Sequence, residues 1–291
     1  MKRKKTRLNV DRDLQLLLFL WRWKLSTTAA LAVKFFPALL AHGAYKRLME
    51  LQHAGFIQAV PVYSQSGYAW SLTNKGFHTI RHLLCELKEV GYRSEFVDHD
   101  FLVSAVHLGN WFLKKPAGAE FLSEQEIRRY SPEFYPYWTP KEEDHEKYHR
   151  PDGYWLLPTD GGKVVVALEV ELNRKTNERY EKMAEFYGIE EKIYRVLWVV
   201  TTESQGQSIQ DKISQANPRR ANIHNFVTLK DFLSHGWGAP IQLGPDTGKT
   251  IDNLMWEQDG NFMGTTCIHV PTKILLEVRK SPSRQRVKAT A

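Results

Sequence analysis

Arg150-Pro151-Asp152-Gly153 and, further on, Val164-Val165-Val166-Ala167-Leu168-Glu169-Val170-Glu171-Leu172-Asn173 decide how this chain is read. A carboxylate inside an apolar strand loses hydration at a cost of several kcal/mol, so acids there need a reason. Glu169, Glu171 and Asn173 alternate with Leu168, Val170 and Leu172. The period of a strand puts these three polar groups on one face. Asp152 stands at the end of a short preceding segment, with sixteen residues between it and Glu169. An aspartate beside two carboxylates of an adjacent strand is an oxygen-ligand set of the kind Mg²⁺ takes. The pattern predicts metal-assisted cleavage of a phosphodiester, with Asp152, Glu169 and Glu171 holding Mg²⁺ or Mn²⁺. The bland alternative is a solvent-facing strand edge whose acids pair with Arg174 and Lys192.

The flanking sequence supplies alternating elements. Asp98 can cap a helix through Leu113, with Leu102, Ala105, Val106 and Phe112 buried and Pro116 ending it. Phe121 to Arg128 reads as a strand. Residues 130–149, rich in Tyr, Pro, Glu and His, read as a long loop. Pro151 to Leu157 is strand-like and ends at the turn Asp160-Gly161-Gly162. Lys163 to Asn173 is the acidic strand, Asn177 to Tyr187 an amphipathic helix closed by Gly188. Ile193 to Thr201 is a continuous apolar run, expected of a central strand covered on both faces. Ser208 to Gln215 reads as helix, Ile223 to Thr228 as strand, Leu229 to Ser234 as a short helix. The order predicts an α/β (α+β) sandwich around a mixed sheet over residues 97–235.

Ahead of this lies a second unit, residues 8–84. Asp11 or Asp13 can cap a helix with Leu14, Leu17, Leu18 and Trp21 buried; Thr27 or Thr28 starts another, Ala29 to Phe35, stopped by Pro37. A third helix, Ala41 to His53, buries Ala44, Leu48 and Leu51, and Gly55 closes it with a left-handed residue. Phe56 to Tyr63 and Tyr68 to Leu72 flank the turn Ser64-Gln65-Ser66-Gly67, and a last helix opens at Thr73-Asn74-Lys75-Gly76. Residues 85–96 read as a linking helix. Residues 236–278 form a weakly periodic extension and 279–291 a basic tail.

With 291 residues, 42% hydrophobic and 25% charged, wholesale disorder is excluded. The net charge of +7 is concentrated at the ends. Residues 2–7 and 279–288 each carry five Lys/Arg and no acid, which leaves 30 basic against 33 acidic side chains in the body. Such arms attract polyanions, or simply solubilise the ends. Cys85 and Cys267 form no zinc pattern and read as reduced thiols of a cytoplasmic protein, a single disulfide being the alternative. The apolar run Leu16 to Trp21 is far too short to span a bilayer, so no membrane insertion is expected.

Three helices, a hairpin and a closing helix resemble a winged helix-turn-helix. The resemblance rests on Arg47-Leu48-Met49-Glu50-Leu51-Gln52-His53-Ala54-Gly55-Phe56-Ile57 and Tyr68-Ala69-Trp70-Ser71-Leu72-Thr73-Asn74-Lys75-Gly76. It implies that the third helix enters the DNA major groove and presents His42, Tyr45, Lys46 and Met49. Residues 8–80 hold seven Lys/Arg against three acids, which suits DNA. Dimerisation or protein docking is the alternative use.

The order of the second unit resembles the restriction-endonuclease-like, PD-(D/E)xK, nuclease fold, with an αβββαβ core. The match is Pro151-Asp152, then Glu169-Val170-Glu171, with Glu171 where that family usually has lysine. The whole chain, over roughly residues 11–230, resembles the replication-relaxation family, which includes MobC-type plasmid relaxases. The matching pieces are Asp98-His99-Asp100, Arg150-Pro151-Asp152-Gly153, and Glu171-Leu172-Asn173-Arg174-Lys175-Thr176 followed by Lys182 and Tyr187. That family often has aspartate in place of Asn173 and glycine in place of Lys175, and it makes Glu171 the principal acid.

The resemblance implies a metal-dependent endonuclease nicking DNA at a plasmid or mobile-element origin. Lys182, or Lys175, would orient the water or steady the phosphate. His99 would be a ligand, a base or a phosphate contact; otherwise it is a helix-terminal histidine. Arg150, Lys175 and Arg179 are candidate phosphate contacts. Tyr130, Phe134, Tyr135, Tyr137 and Trp138 are candidates to stack on unpaired bases, or are packing anchors. His145 and His149 could widen a metal site, and a tyrosine nucleophile stays open. The implied partners are double-stranded DNA, single-stranded DNA at a nick, a second copy of the chain and other mobilisation proteins. The competing functions are a non-catalytic DNA-binding regulator with a degenerate nuclease unit, and an end-cleaving transposon nuclease.

Overall fold

The computed structural model describes residues 7–256 apart from 39–40, 66, 110–111, 113–114, 116, 132, 134–148 and 160–161. Outside the described residues lie most of the amino-terminal basic arm, the carboxy-terminal basic tail, Cys267, Pro116, His145, Phe134, Tyr135, Tyr137 and Trp138. The chain is mixed α/β, with helices and two β-sheets. It divides into two compact units: described residues up to Leu84 with 92–104, and 85–91 with those from Ala105 onward.

The first unit runs α1 (Val10–Trp23), β1 (Leu25–Ser26), α2 (Thr28–Phe35), α3 (Ala41–His53), β2 (Ile57–Val62), β3 (Gly67–Leu72) and α4 (Asn74–Ile80). Its sheet is antiparallel in the order β1-β3-β2. Leu16, Leu17, Leu20, Ala44, Leu48, Leu51, Leu72 and Ile80 are sealed from solvent. Leu14 and Leu18 are only partly covered. Gly55 sits at φ +79°, a backbone region closed to most side chains, and turns the chain from α3 into the hairpin.

One expectation is corrected here, and one element is new. Asn9, not Asp11 or Asp13, caps α1, accepting the Arg12 N–H. Asp13 is instead fully buried and receives Arg47 Nη2 at 2.5 Å. Burial raises its pKa most, but Arg47, the Asn9 N–H and Arg12 together outweigh that and hold it below the usual carboxylate value. Strand β1 is not legible in the sequence, because two residues carry no period; it pairs Leu25 with Ser71.

Residues 85–96 form no helix. Lys88 N–H donates to the Arg129 carbonyl and Ser131 N–H to the Glu86 carbonyl, both at 2.9 Å, around a Leu87–Tyr130 bridge. With no apolar stripe to bury, the segment satisfies its backbone sideways.

Helix α5 (Val97–Leu108) leads into the second unit and stops at Gly109, short of Leu113. Asp98 lies inside its first turn and accepts from Ser64 N–H and Oγ, so it is not the cap. The stretch read as one strand from Phe121 to Arg128 is two elements, β4 (Glu120–Ser123) and α6 (Glu124–Arg129). Ser123 and Glu126 form a capping box between them, and that reciprocal pair ends the strand.

Then follow β5 (Gly153–Thr159), β6 (Gly162–Glu171), α7 (Asn177–Ile189), β7 (Ile193–Val200), α8 (Glu203–Ala216), β8 (His224–Thr228), α9 (Leu229–His235) and α10 (Ile251–Trp256). The sheet order is β4-β5-β6-β7-β8. The first three strands are antiparallel neighbours, while β7 and β8 run parallel to β6. Helices α7 and α8 supply the crossovers that parallel strands require. Tyr180, Met183, Ala184, Tyr187, Ile209 and Ile213 of these helices pack with Val165, Ala167, Trp198 and Phe226 in one cluster. The opposite face carries Trp155, which meets the Trp237 ring at 5.3 Å between centroids. Helix α8 begins five residues before the expected Ser208, because Thr202 caps it by accepting the Gln205 N–H. Strand β6 ends at Glu171, so Asn173 is exposed beyond it rather than third on the acidic face.

Candidate active site

Asp152 is held where β5 begins beside β6. Its N–H donates to the Leu168 carbonyl at 2.9 Å, and its carbonyl accepts from Glu124 N–H at 3.3 Å. Buried His107 reaches the same carbonyl through Nε2 at 3.2 Å, while its Nδ1 accepts the Trp155 indole N–H at 2.9 Å. That second bond fixes the tautomer: Nε2 carries the proton and donates. Glycine is required next door, since a Cβ on Gly153 would lie 2.0 Å from His107 Nε2. The carboxylate of Asp152 turns back to β6, where Oδ2 accepts the Val170 N–H at 2.6 Å.

Glu169 and Glu171 alternate along β6 as the strand period demands, and both are almost wholly buried. They continue the face of Val165 and Ala167, toward α7. Glu169 Oε1 accepts from the Tyr187 hydroxyl of α7 and contacts His149 Nε2. The Tyr187 hydroxyl is pushed well above its usual pKa by burial first and by Glu169 next, so Tyr187 stays a protonated donor. The His149 ring stands edge-on to Phe186 and Tyr187.

Glu171 pairs with the Lys175 ammonium. Lys175 belongs to the loop before α7, and its own N–H donates to the Tyr180 hydroxyl at 3.1 Å. Burial lowers the Lys175 pKa, but Glu169, Glu171 and Asp152 together more than offset it. Burial raises Glu171, Lys175 pulls it back in part, and Glu169 and Asp152 push it up again, so it ends above the ordinary glutamate value. The two shifts have different leading causes: burial raises Glu171, whereas for Lys175 the neighbouring carboxylates outweigh burial.

The structure thus brings Asp152, Glu169, Glu171 and Lys175 within electrostatic reach of one another, and adds His149 and Tyr187. Other sequence candidates fall elsewhere. Lys182 is exposed on α7 and pairs with Glu178 at 2.8 Å, away from the acids it was expected to serve. The helix period turns it outward together with its i−4 partner. His99 belongs to the first unit, where its Nδ1 lies 3.8 Å from Asp100. Asp100 there receives Lys24 Nζ at 2.9 Å and Ser94 Oγ at 2.6 Å. Arg179 is exposed in the first turn of α7 and Arg150 is half-buried. On α3, His42 and Lys46 are exposed and Met49 partly so, but Tyr45 is buried against Trp70 at 6.2 Å between centroids. Tyr45 is therefore a core residue and not a groove contact, a correction that follows from its place beside Ala44 on the apolar stripe.

The donor chemistry fits a hard divalent cation, since Asp152, Glu169 and Glu171 offer carboxylate oxygens. Their arrangement is not a finished cage: each has an oxygen engaged by a protein group, and among the described residues no three His, Cys, Asp or Glu side chains are grouped closely enough to hold a metal together. Also among the described residues, no helix is long and apolar enough to cross a membrane. No family model, curated protein or solved structure matches the chain.

Proposed function

We propose that the chain is a metal-dependent DNA-nicking endonuclease with an amino-terminal winged helix-turn-helix and a restriction-endonuclease-like second unit. The observation that carries the reading is the convergence of Asp152, Glu169, Glu171 and Lys175 at one end of β6 in a sheet of three antiparallel and two further parallel strands. Buried charge of this kind is costly to keep, and active sites are where such perturbed groups cluster.

In this reading Asp152 and Glu169, with Glu171, would hold Mg²⁺ or Mn²⁺. When bound, such an ion supplies charge neutralisation for the phosphoryl oxygens and acidifies water. Lys175, paired with Glu171 in the structure, would supply the ammonium that position 171 lacks and would contact the phosphate. Tyr187 and His149 orient Glu169. His107 holds the Asp152 backbone. Exposed His42 and Lys46 on α3 contact duplex phosphates and base edges. The resemblance to the replication-relaxation family would put the nick at an origin of transfer or replication.

A second reading has its own observation. Lys175 on Glu171 and Val170 N–H on Asp152 satisfy the acids without an ion, as expected of a DNA-binding regulator whose nuclease unit is inert. Incubation of supercoiled plasmid carrying the cognate region with Mg²⁺ or Mn²⁺ separates the two. Nicking by the wild type and not by Asp152→Asn supports the enzyme; DNA binding without nicking in either metal supports the regulator.

A further inference from the structure

Beyond Glu171 the chain opens a cleft of about 450 Å³ between the loop after β6 and the start of α8. Its walls carry Asn173, Arg174, Thr201, Ser204, Gln205 and Ser208. Tyr180 and Ile209, both buried, contribute apolar surface. None of its lining residues is acidic, although the cleft adjoins the acid cluster: Gln205 Nε2 donates to the Glu171 carbonyl at 3.4 Å. Arg174 directly precedes Lys175, and its guanidinium makes a long 3.4 Å bond to Ser208 Oγ that a stronger acceptor would displace. Hydroxyls and amides beside a single guanidinium suit a ligand with one anionic group and several hydrogen-bonding edges. The volume is in the range of small-ligand sites.

We propose that this cleft binds one nucleotide unit of a single DNA strand, its phosphate against Arg174 and its base among the hydroxyl and amide groups of the opposite wall. The inference deepens the endonuclease reading and rests on it for the strand's path: the nucleotide held here adjoins the one at Lys175. Ser208 lines the cleft beside Arg174, and Gln205 is held in place by Thr201, whose N–H donates to its Oε1 at 2.9 Å.

The test is fluorescence anisotropy on the full chain, with a short fluorescein-labelled oligothymidine in EDTA, in the presence of saturating unlabelled duplex to occupy the first unit. Arg174→Ala should weaken single-strand binding about tenfold and lower its salt slope by about 0.7. Ser208→Trp, which fills the cleft without touching a charge, should weaken it as well. Wild-type affinity and slope in both folded variants would overturn the proposal, as would Arg174-dependent binding of free dTMP without binding of the oligonucleotide. The two readings fail separately. Loss of oligonucleotide affinity in these variants from a wild type that never nicks plasmid would discard the nuclease and keep the cleft. Nicking with unchanged single-strand affinity in both variants would do the reverse.

Discussion

The Asp152 carboxylate accepts the Val170 N–H at 2.6 Å, so an acidic side chain completes the edge of β6 where β5 has not yet begun. One group thereby serves the fold and the candidate chemistry. Asp152→Ala should destabilise the protein by about 1–3 kcal/mol, because the Val170 N–H is left without its acceptor. Asp152→Asn keeps an acceptor oxygen in place and should hold the wild-type Tm while losing nicking. Thermal melts of both variants check this; equal losses of Tm would show that the amide does not replace the bond.

Lys175 and Lys182 divide what the sequence offered as alternatives. Lys175→Ala should reduce nicking about a hundredfold, the scale of removing one charged group from a phosphoryl-transfer site. Lys182→Ala should leave nicking and Tm as they are, since Lys182 contacts exposed Glu178 on the outer side of α7. Single-turnover nicking rates decide between them, and a large effect from Lys182 alone would reverse the assignment.

Neighbours on α3 have opposite parts. Tyr45→Ala should cost about 3 kcal/mol, the scale of emptying an aromatic site in a core, because the ring is buried against Trp70. Lys46→Ala should keep the fold and lower the salt slope of duplex binding by about one unit, the share of a single neutralised phosphate. An unchanged slope would take α3 out of the DNA interface.

His224 sets an acid limit to stability. It is fully buried, accepts the Trp198 indole N–H at 3.0 Å, and burial first and Arg220 second lower its pKa from 6.5 to about 3. The unfolded chain takes up a proton near the ordinary histidine value while the folded chain refuses it. Stability is therefore full above that value and falls as pH drops from 6.5 toward 3. His224→Gln, whose amide oxygen can still accept from Trp198, should flatten that fall. Tm measured across this range in both proteins tests the point, and parallel curves would remove His224 as the cause.

Much of the scaffold is legible in the sequence because it rests on local rules. Helix α3 spans Ala41–His53 as its apolar stripe and Gly55 predict, and β7 spans Ile193–Val200 inside its continuous apolar run. The face shared by Glu169 and Glu171 follows from alternation alone. Lys175 and His149 are named from the sequence, but their partners are not legible there, because neither contact has a period. Lys175 lies in a loop, where spacing says nothing of direction, and its partner is visible only once the Tyr180 hydroxyl fixes the backbone. His149 meets Glu169 across twenty positions of chain, a tertiary contact with no local signature. The outward turn of Lys182, by contrast, has a local signal in Glu178 four positions before it, which outranks the expectation that Lys182 reaches back to the acids.

Isothermal titration of Mn²⁺ into the full-length protein tests the central claim most directly. The account predicts a saturable site in the wild type that is lost in Glu169→Gln and in Asp152→Asn while both variants keep the wild-type fold. Mn²⁺ uptake of the same strength in all three proteins, or none in the wild type, would contradict it.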